Sequence, residues 1–229
     1  VTAQFNIRAE SQPSSPSDPS NFGDLDSQTQ RGSYNGLAAA AAIYSAAYLA
    51  AFLSDWFTQI AADGFFHLPP LFDTVVSVIA IGYSLFVAYR CRRQACEACS
   101  FARLAVTFLG VSSLGIAIQA WGWESEAIAA NLASGSVAWV GVWIVAFPSV
   151  VALPPRQILI ASLMAAATVP AVFVTSAIVH GVPPEAGSLP WVAVARNAIP
   201  VFICAGVAYA IAYRVFRLAR DVSKARRLG

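Results

Sequence analysis

Arg196 is the one charged side chain set well inside an apolar run, and Asn197 stands beside it. An arginine at the centre of a bilayer costs about 2.5–3.5 kcal/mol on insertion scales, and less near the interface. Arg196 lies only five residues after Trp191, roughly 7–8 Å along a helix. Two readings stand side by side. The guanidinium reaches outward to lipid phosphate or pairs with Asp73, Glu124 or Glu126; or, with Asn197, it grips an anionic ligand. Cys91, Cys96 and Cys99 are spaced like three ligands of a plant-type iron–sulfur site. A fourth ligand would have to be Cys204, in the middle of a separate apolar run, so no metal is expected. His67 and His180 fall near the ends of apolar runs, where a haem sandwich has no support. The sole lysine, Lys224, follows the last run, so no Schiff base can form among the spans. No phosphate-binding glycine loop, nucleophile elbow or kinase catalytic signature occurs. The expectation is a chain with no catalytic residues and no cofactor.

The elements that would position Arg196 and Asn197 follow from composition. Apolar residues make up 58% of the 229 and charged ones 11%, against roughly 25% charged in soluble domains. The charges cluster between long apolar runs, which excludes a continuous wetted surface. No basic stripe interleaved with aromatics supports nucleic-acid binding. Six apolar runs, at 37–53, 72–89, 104–123, 135–153, 158–179 and 191–213, each approach the ~20 helical residues that cross a ~30 Å hydrocarbon core. The sequence predicts an all-α membrane protein: a six-transmembrane-helix bundle over 36–213, a disordered tail over 1–35 and a juxtamembrane helix over 214–229. The tail is rich in Ser, Pro, Gln and Asp and has no basic-then-apolar start, so the first span acts as an uncleaved anchor.

Orientation comes from the cations. Arg90, Arg92, Arg93, Arg103 and Arg156 flank the even-to-odd links, and five arginines and Lys224 follow the sixth run. The opposite links hold Asp55, Asp63, Glu124, Glu126 and Glu185 and no lysine or arginine. The positive-inside rule puts both termini in the cytoplasm, and Trp56, Trp121, Trp123 and Trp191 then form an outer aromatic belt. Ala38, Ala42, Ala46 and Ala50 recur every fourth residue and predict a close-packing face on the first span. Pro148, Pro170 and Pro200 are expected to bend spans four, five and six. Beyond the last span, Val215, Leu218, Val222 and Ala225 step by three, four and three along one face. They predict either a short parallel coiled coil joining two protomers or, with the surrounding arginines, a collar held by anionic lipids.

The stretch VAFPSVVALPPRQILIASLMAAATVP and the terminal IPVFICAGVAYAIAYRVFRLARDVSKARRLG resemble the membrane region that precedes the catalytic domain in bacterial eukaryotic-like serine/threonine protein kinases. The resemblance covers the chain from Phe101 onward. It implies a membrane anchor and sensor in the bacterial inner membrane, dimerising through its last helix, for a kinase domain that would follow Gly229. The kinase's catalytic residues are not in this stretch, so none is carried over. Class III nucleotide cyclases also carry six-span regions of this kind. A small six-helix transporter or channel, and a non-catalytic subunit of a membrane complex, are the alternatives.

Overall fold

Inside hydrocarbon no water is present to hydrogen-bond the backbone, so an apolar run must satisfy its own amides, and it does so as a helix. The computed structural model describes residues 20–63, 71–93, 98–121, 139–181 and 190–228, and no strand occurs among them. We label the helices in chain order: α1 (Ser20–Asp63), α2 (Leu71–Arg92), α3 (Ala98–Trp121), α4 (Trp139–Val150), α5 (Pro155–His180) and α6 (Pro190–Leu228). Five contain windows long and apolar enough to cross a membrane: Gly32–Thr58, Leu71–Arg92, Phe101–Ala120, Pro155–Val179 and Val194–Leu218. The chain is therefore an all-helical, multi-pass membrane protein by the length and composition of its helices. α4 has 12 helical residues, about 18 Å of rise, and the 135–138 part of the expected fourth run lies outside the described residues.

Two expectations change at the N-terminal end. The segment expected as a tail over 1–35 is helical from Ser20 onward; residues 1–19 lie outside the described residues. Tyr34, only 3% exposed, packs edge-on against Phe101 with ring centroids 4.7 Å apart. The anticipated alanine face is also not the packing face, since Ala42, Ala46 and Ala50 are exposed and only Ala38 is buried. The buried seam of α1 is instead Leu37, Ala41, Tyr44 and Tyr48, with steps of four, three and four. α2 buries Ser77, Ala80, Ser84, Val87 and Cys91, and α6 buries Val201, Ala205, Ala208 and Ala212, in the same rhythm. With buried Tyr34 and Ala198 preceding the α1 and α6 seams, all three average 3.5 residues per step, a period that keeps a seam facing a neighbour crossed at a shallow angle. A strict four-residue stripe drifts off that line, and here it faces outward.

Pairs of contacts give the helix directions. Tyr34 meets Phe101 and Tyr48 reaches Gly115, so α1 and α3 run parallel. Trp143 meets Ser112 and Phe147 meets Phe108, so α4 runs opposite to α3. Tyr83 meets Phe108, and a Cβ on Gly115 would lie 3.8 Å from Ala80, so α2 also runs opposite to α3. The short Val151–Pro154 connection returns α5 along α4, with Pro155 as its first residue, where a missing amide hydrogen costs nothing. α6 packs along α5 and α4. The ends of α2 and α4 and the starts of α1, α3 and α5 consequently share one end of the bundle, which carries Arg90, Arg92, Arg93, Arg103 and Arg156. Pro148, Pro170 and Pro200 sit inside α4, α5 and α6 as expected.

Glycines set the closest approaches. A Cβ on Gly36 would collide with the carbonyl oxygen of Val150, which lets α1 lie directly on the end of α4. A Cβ on Gly141 would stand 3.1 Å from the Cys204 sulfur and 4.0 Å from the Val201 Cα, which brings α4 and α6 together. Gly82 has nothing within 4 Å of such a Cβ. Gly36→Ala is therefore expected to destabilise the detergent-solubilised protein by about 1–3 kcal/mol, read as a lowered unfolding midpoint. Gly82→Ala should leave that midpoint unchanged or slightly raised.

Candidate functional site

The seam of α1 delivers two phenols, Tyr44 and Tyr48, one turn apart on the same face and into the interior of the bundle. A phenol hydroxyl in a dry interior is costly unless it finds an acceptor. Tyr44 donates to the backbone carbonyl of Ser112 at 2.9 Å, and Tyr48 donates to that of Gly115 at 3.2 Å. Gly115 allows this approach, for a Cβ there would sit 2.9 Å from the Tyr44 oxygen. From α4, the indole N–H of Trp143 donates to the Ser112 hydroxyl at 2.8 Å, and that hydroxyl donates on to the Leu109 carbonyl at 3.1 Å. Ser112 therefore ties three helices together through its main-chain and side-chain oxygens.

Aromatic rings close around these bonds. Tyr44 lies 5.3 Å from Trp143 and 6.0 Å, edge-on, from Phe108; Phe108 contacts Trp143 edge-on at 6.2 Å and stacks with Tyr83 at 6.2 Å. The spacings are those of favourable aromatic pairs, worth about 0.5–1.5 kcal/mol each beyond area burial. Phe108 is fully buried at the centre and touches rings from α1, α2 and α4. The arrangement pairs no base with a nucleophile. What it fixes is the register of α1, α3 and α4, with interhelical bonds typically worth about 0.6 kcal/mol and at most about 1.7 in bilayers.

The residues singled out from sequence lie elsewhere. Arg196 is exposed and Asn197 half-buried, side by side near the start of α6, and each has an interaction partner. The structure does not bring them to the tyrosine–tryptophan cluster. Cys91 is buried at the arginine-bearing end, whereas Cys204 is half-buried against Gly141, well along α6. Cys96 and His67 lie outside the described residues, as do the side chains of Cys99 and His180. Among the described residues no group of three or more His, Cys, Asp or Glu is placed to hold a metal. Val215 and Leu218 are 47% and 64% exposed on α6, beside Phe216 at 52%. Val222 and Ala225 continue on the same helix, their side chains outside the described residues.

No protein-family model, curated protein or solved structure matches the chain.

The cluster residues were not singled out from the sequence. The available signal was a pair of tyrosines four apart in an alanine-rich run, and two serines flanked by Gly110 and Gly115. Tyr44→Phe keeps the ring and removes the donor, so it should cost about 1 kcal/mol. Trp143→Phe should cost a similar amount plus lost ring area. The Tyr44→Phe/Trp143→Phe double variant should fall short of the sum, because both act through Ser112. Unfolding midpoints of the three variants read this directly, and strict additivity would contradict a shared network.

Proposed function

We propose that this chain is the membrane anchor and input region of a bacterial serine/threonine protein kinase, carrying no catalysis of its own. The observation that supports this best is α6, one helix from Pro190 to Leu228. Its membrane-length window ends at Leu218, so the helix runs on past the apolar zone without a break, through RDVSKARRL. A rod continuous with a span passes rotation or tilt to whatever is joined to it, whereas a loop would absorb the motion. The identity of that cargo as a kinase draws on the resemblance in the two C-terminal stretches. The exposed Val215 and Leu218 suit a seam between two protomers, so the working unit is a homodimer whose catalytic domains meet differently as α6 shifts. Such coupling requires the input to favour one arrangement of the bundle over another.

The topology belonging to this reading has six crossings, with α4 and the residues just before it as the fourth, and both ends cytoplasmic. It puts the arginine-bearing end inside, in keeping with the positive-inside rule, and the bilayer would be the bacterial inner membrane. A small transporter is the second reading. It is favoured by the hydroxyls of Ser77, Ser113, Ser162 and Ser176, buried with no hydrogen-bond partner, which could line a polar path.

Single cysteines in a background lacking the four native ones separate these possibilities. An impermeant maleimide should label Ser125→Cys in intact cells and should reach Arg92→Cys and Gly229→Cys only after lysis. Labelling of the latter two from outside would overturn the topology. Oxidative crosslinking of Leu218→Cys should give a covalent dimer. A reading frame that stops after Gly229 would end the kinase reading, and substrate flux in proteoliposomes would favour the transporter.

A further inference from the structure

We infer that the arginine-bearing end of the bundle is a docking surface for anionic phospholipid headgroups, which it holds by paired guanidinium–phosphate hydrogen bonds. The inference rests on the membrane-spanning reading alone. It is independent of the kinase link and of which leaflet that end faces.

Three observations carry it. The first is placement. Arg92 ends α2 and Arg93 follows it in a turn, Arg103 stands in the first turns of α3, Arg156 is the second residue of α5, and Arg214 and Arg217 lie where the apolar window of α6 finishes. All six side chains are exposed. Along antiparallel α2 and α3, the Tyr83–Phe108 contact sets Arg103 level with the last turn of α2. Along α3 and α4, the Ser112–Trp143 and Phe108–Phe147 contacts set Arg103 level with the Val151–Pro154 connection, just before Arg156. On α6, the Gly141–Cys204 contact places Cys204 near mid-bundle, and ten residues further on, about 15 Å, comes Arg214. Four helices thus raise guanidinium groups to one depth, where headgroup phosphates lie.

The second is charge balance. Among described side chains the only carboxylate is Asp73, in the first turn of α2 and so at the opposite end. The sequence adds Glu97 in the α2–α3 link and Asp221 on α6, yet arginines outnumber carboxylates at the arginine-bearing end, and each arginine is worth about 1 kcal/mol of attraction to an anionic leaflet.

The third is residue choice. Of the 14 Lys and Arg residues, Lys224 is the sole lysine, which leaves 13 arginines. Orientation by positive charge is served by lysine and arginine alike. Only the planar guanidinium fork binds a phosphate through two parallel N–H···O bonds, while lysine binds it as a point charge. Arg93 shows how such a fork can be held ready. Its backbone N–H bonds the Tyr89 carbonyl at 3.1 Å, and its guanidinium carbon stands 4.7 Å over the Tyr89 ring centroid. Stacking on one face leaves the N–H edge of the guanidinium able to meet a phosphate.

The test replaces arginine by lysine, which keeps every charge. The purified chain in neutral detergent is titrated with phosphatidylglycerol, with phosphatidylcholine and with inorganic phosphate, following the unfolding midpoint and bound lipid by native mass spectrometry. Phosphatidylglycerol should raise the midpoint and remain bound, and the other two should do neither. The Arg92→Lys/Arg93→Lys/Arg103→Lys/Arg156→Lys variant should bind phosphatidylglycerol about tenfold more weakly, and Arg93→Lys alone should show a smaller loss in the same direction. Equal stabilisation by phosphatidylcholine, or by inorganic phosphate, would overturn the inference. So would unchanged affinity in the lysine variants, which would reduce the surface to unspecific charge. Should the fourfold variant fail to fold, Arg93→Lys and the wild-type lipid comparison decide the matter.

Discussion

Every backbone amide within hydrocarbon must find a partner inside the protein, and the shape of this bundle follows from that requirement and from the two phenols bonded to α3. The requirement makes the apolar runs helical, and the hydroxyls of Tyr44 and Tyr48 turn away from lipid onto α3 carbonyls. Once those two bonds form, α1 has a single rotation about its axis, and the seam containing Leu37 and Ala41 is fixed with it. Apolar contact alone could not select that rotation. Lipid tails are as oily as leucine, so burying an apolar face against a helix gains little over burying it in the bilayer.

The same limitation explains why glycine and alanine matter as much as the rings. With no hydrophobic drive between spans, close approach supplies the attraction, and α6 accordingly buries Ala205, Ala208 and Ala212. Gly36 and Gly141 extend the principle to the backbone: a Cβ at the contact of α1 with α4 would collide with a carbonyl oxygen, and one at the contact of α6 with α4 would crowd the Cys204 sulfur. α4, the shortest of the apolar helices described, is thereby touched by α1, α3, α5 and α6.

Much of this fold was legible in the sequence. Helix content and the positions of five long spans follow from run length and composition, because lipid leaves the backbone few choices. The three internal prolines fall where the apolar runs put them. The alanine periodicity of α1 misled for a physical reason: a stripe of small residues permits close packing but does not demand it, while a phenol in lipid demands a partner. The tyrosine–tryptophan cluster was illegible because it joins residues 31 and 68 positions apart. Nothing local marks Ser112 as their common acceptor. The helical start at Ser20 was missed because the polar composition of 20–35 carries no apolar period, although Tyr34 does find a burial site against Phe101 on α3.

Pro200 lies in α6 ten residues after its start, with 28 more to Leu228, the last helical residue. That distal arm is about 42 Å long at 1.5 Å per residue. Proline removes one hydrogen bond and makes the helix easier to bend at that level. If the arm swings as a stiff lever, a change of roughly 5° at the proline moves its tip by about 3.7 Å. An angular adjustment too small to disturb the seam near its pivot would then arrive at the far end as a displacement approaching the spacing between consecutive turns.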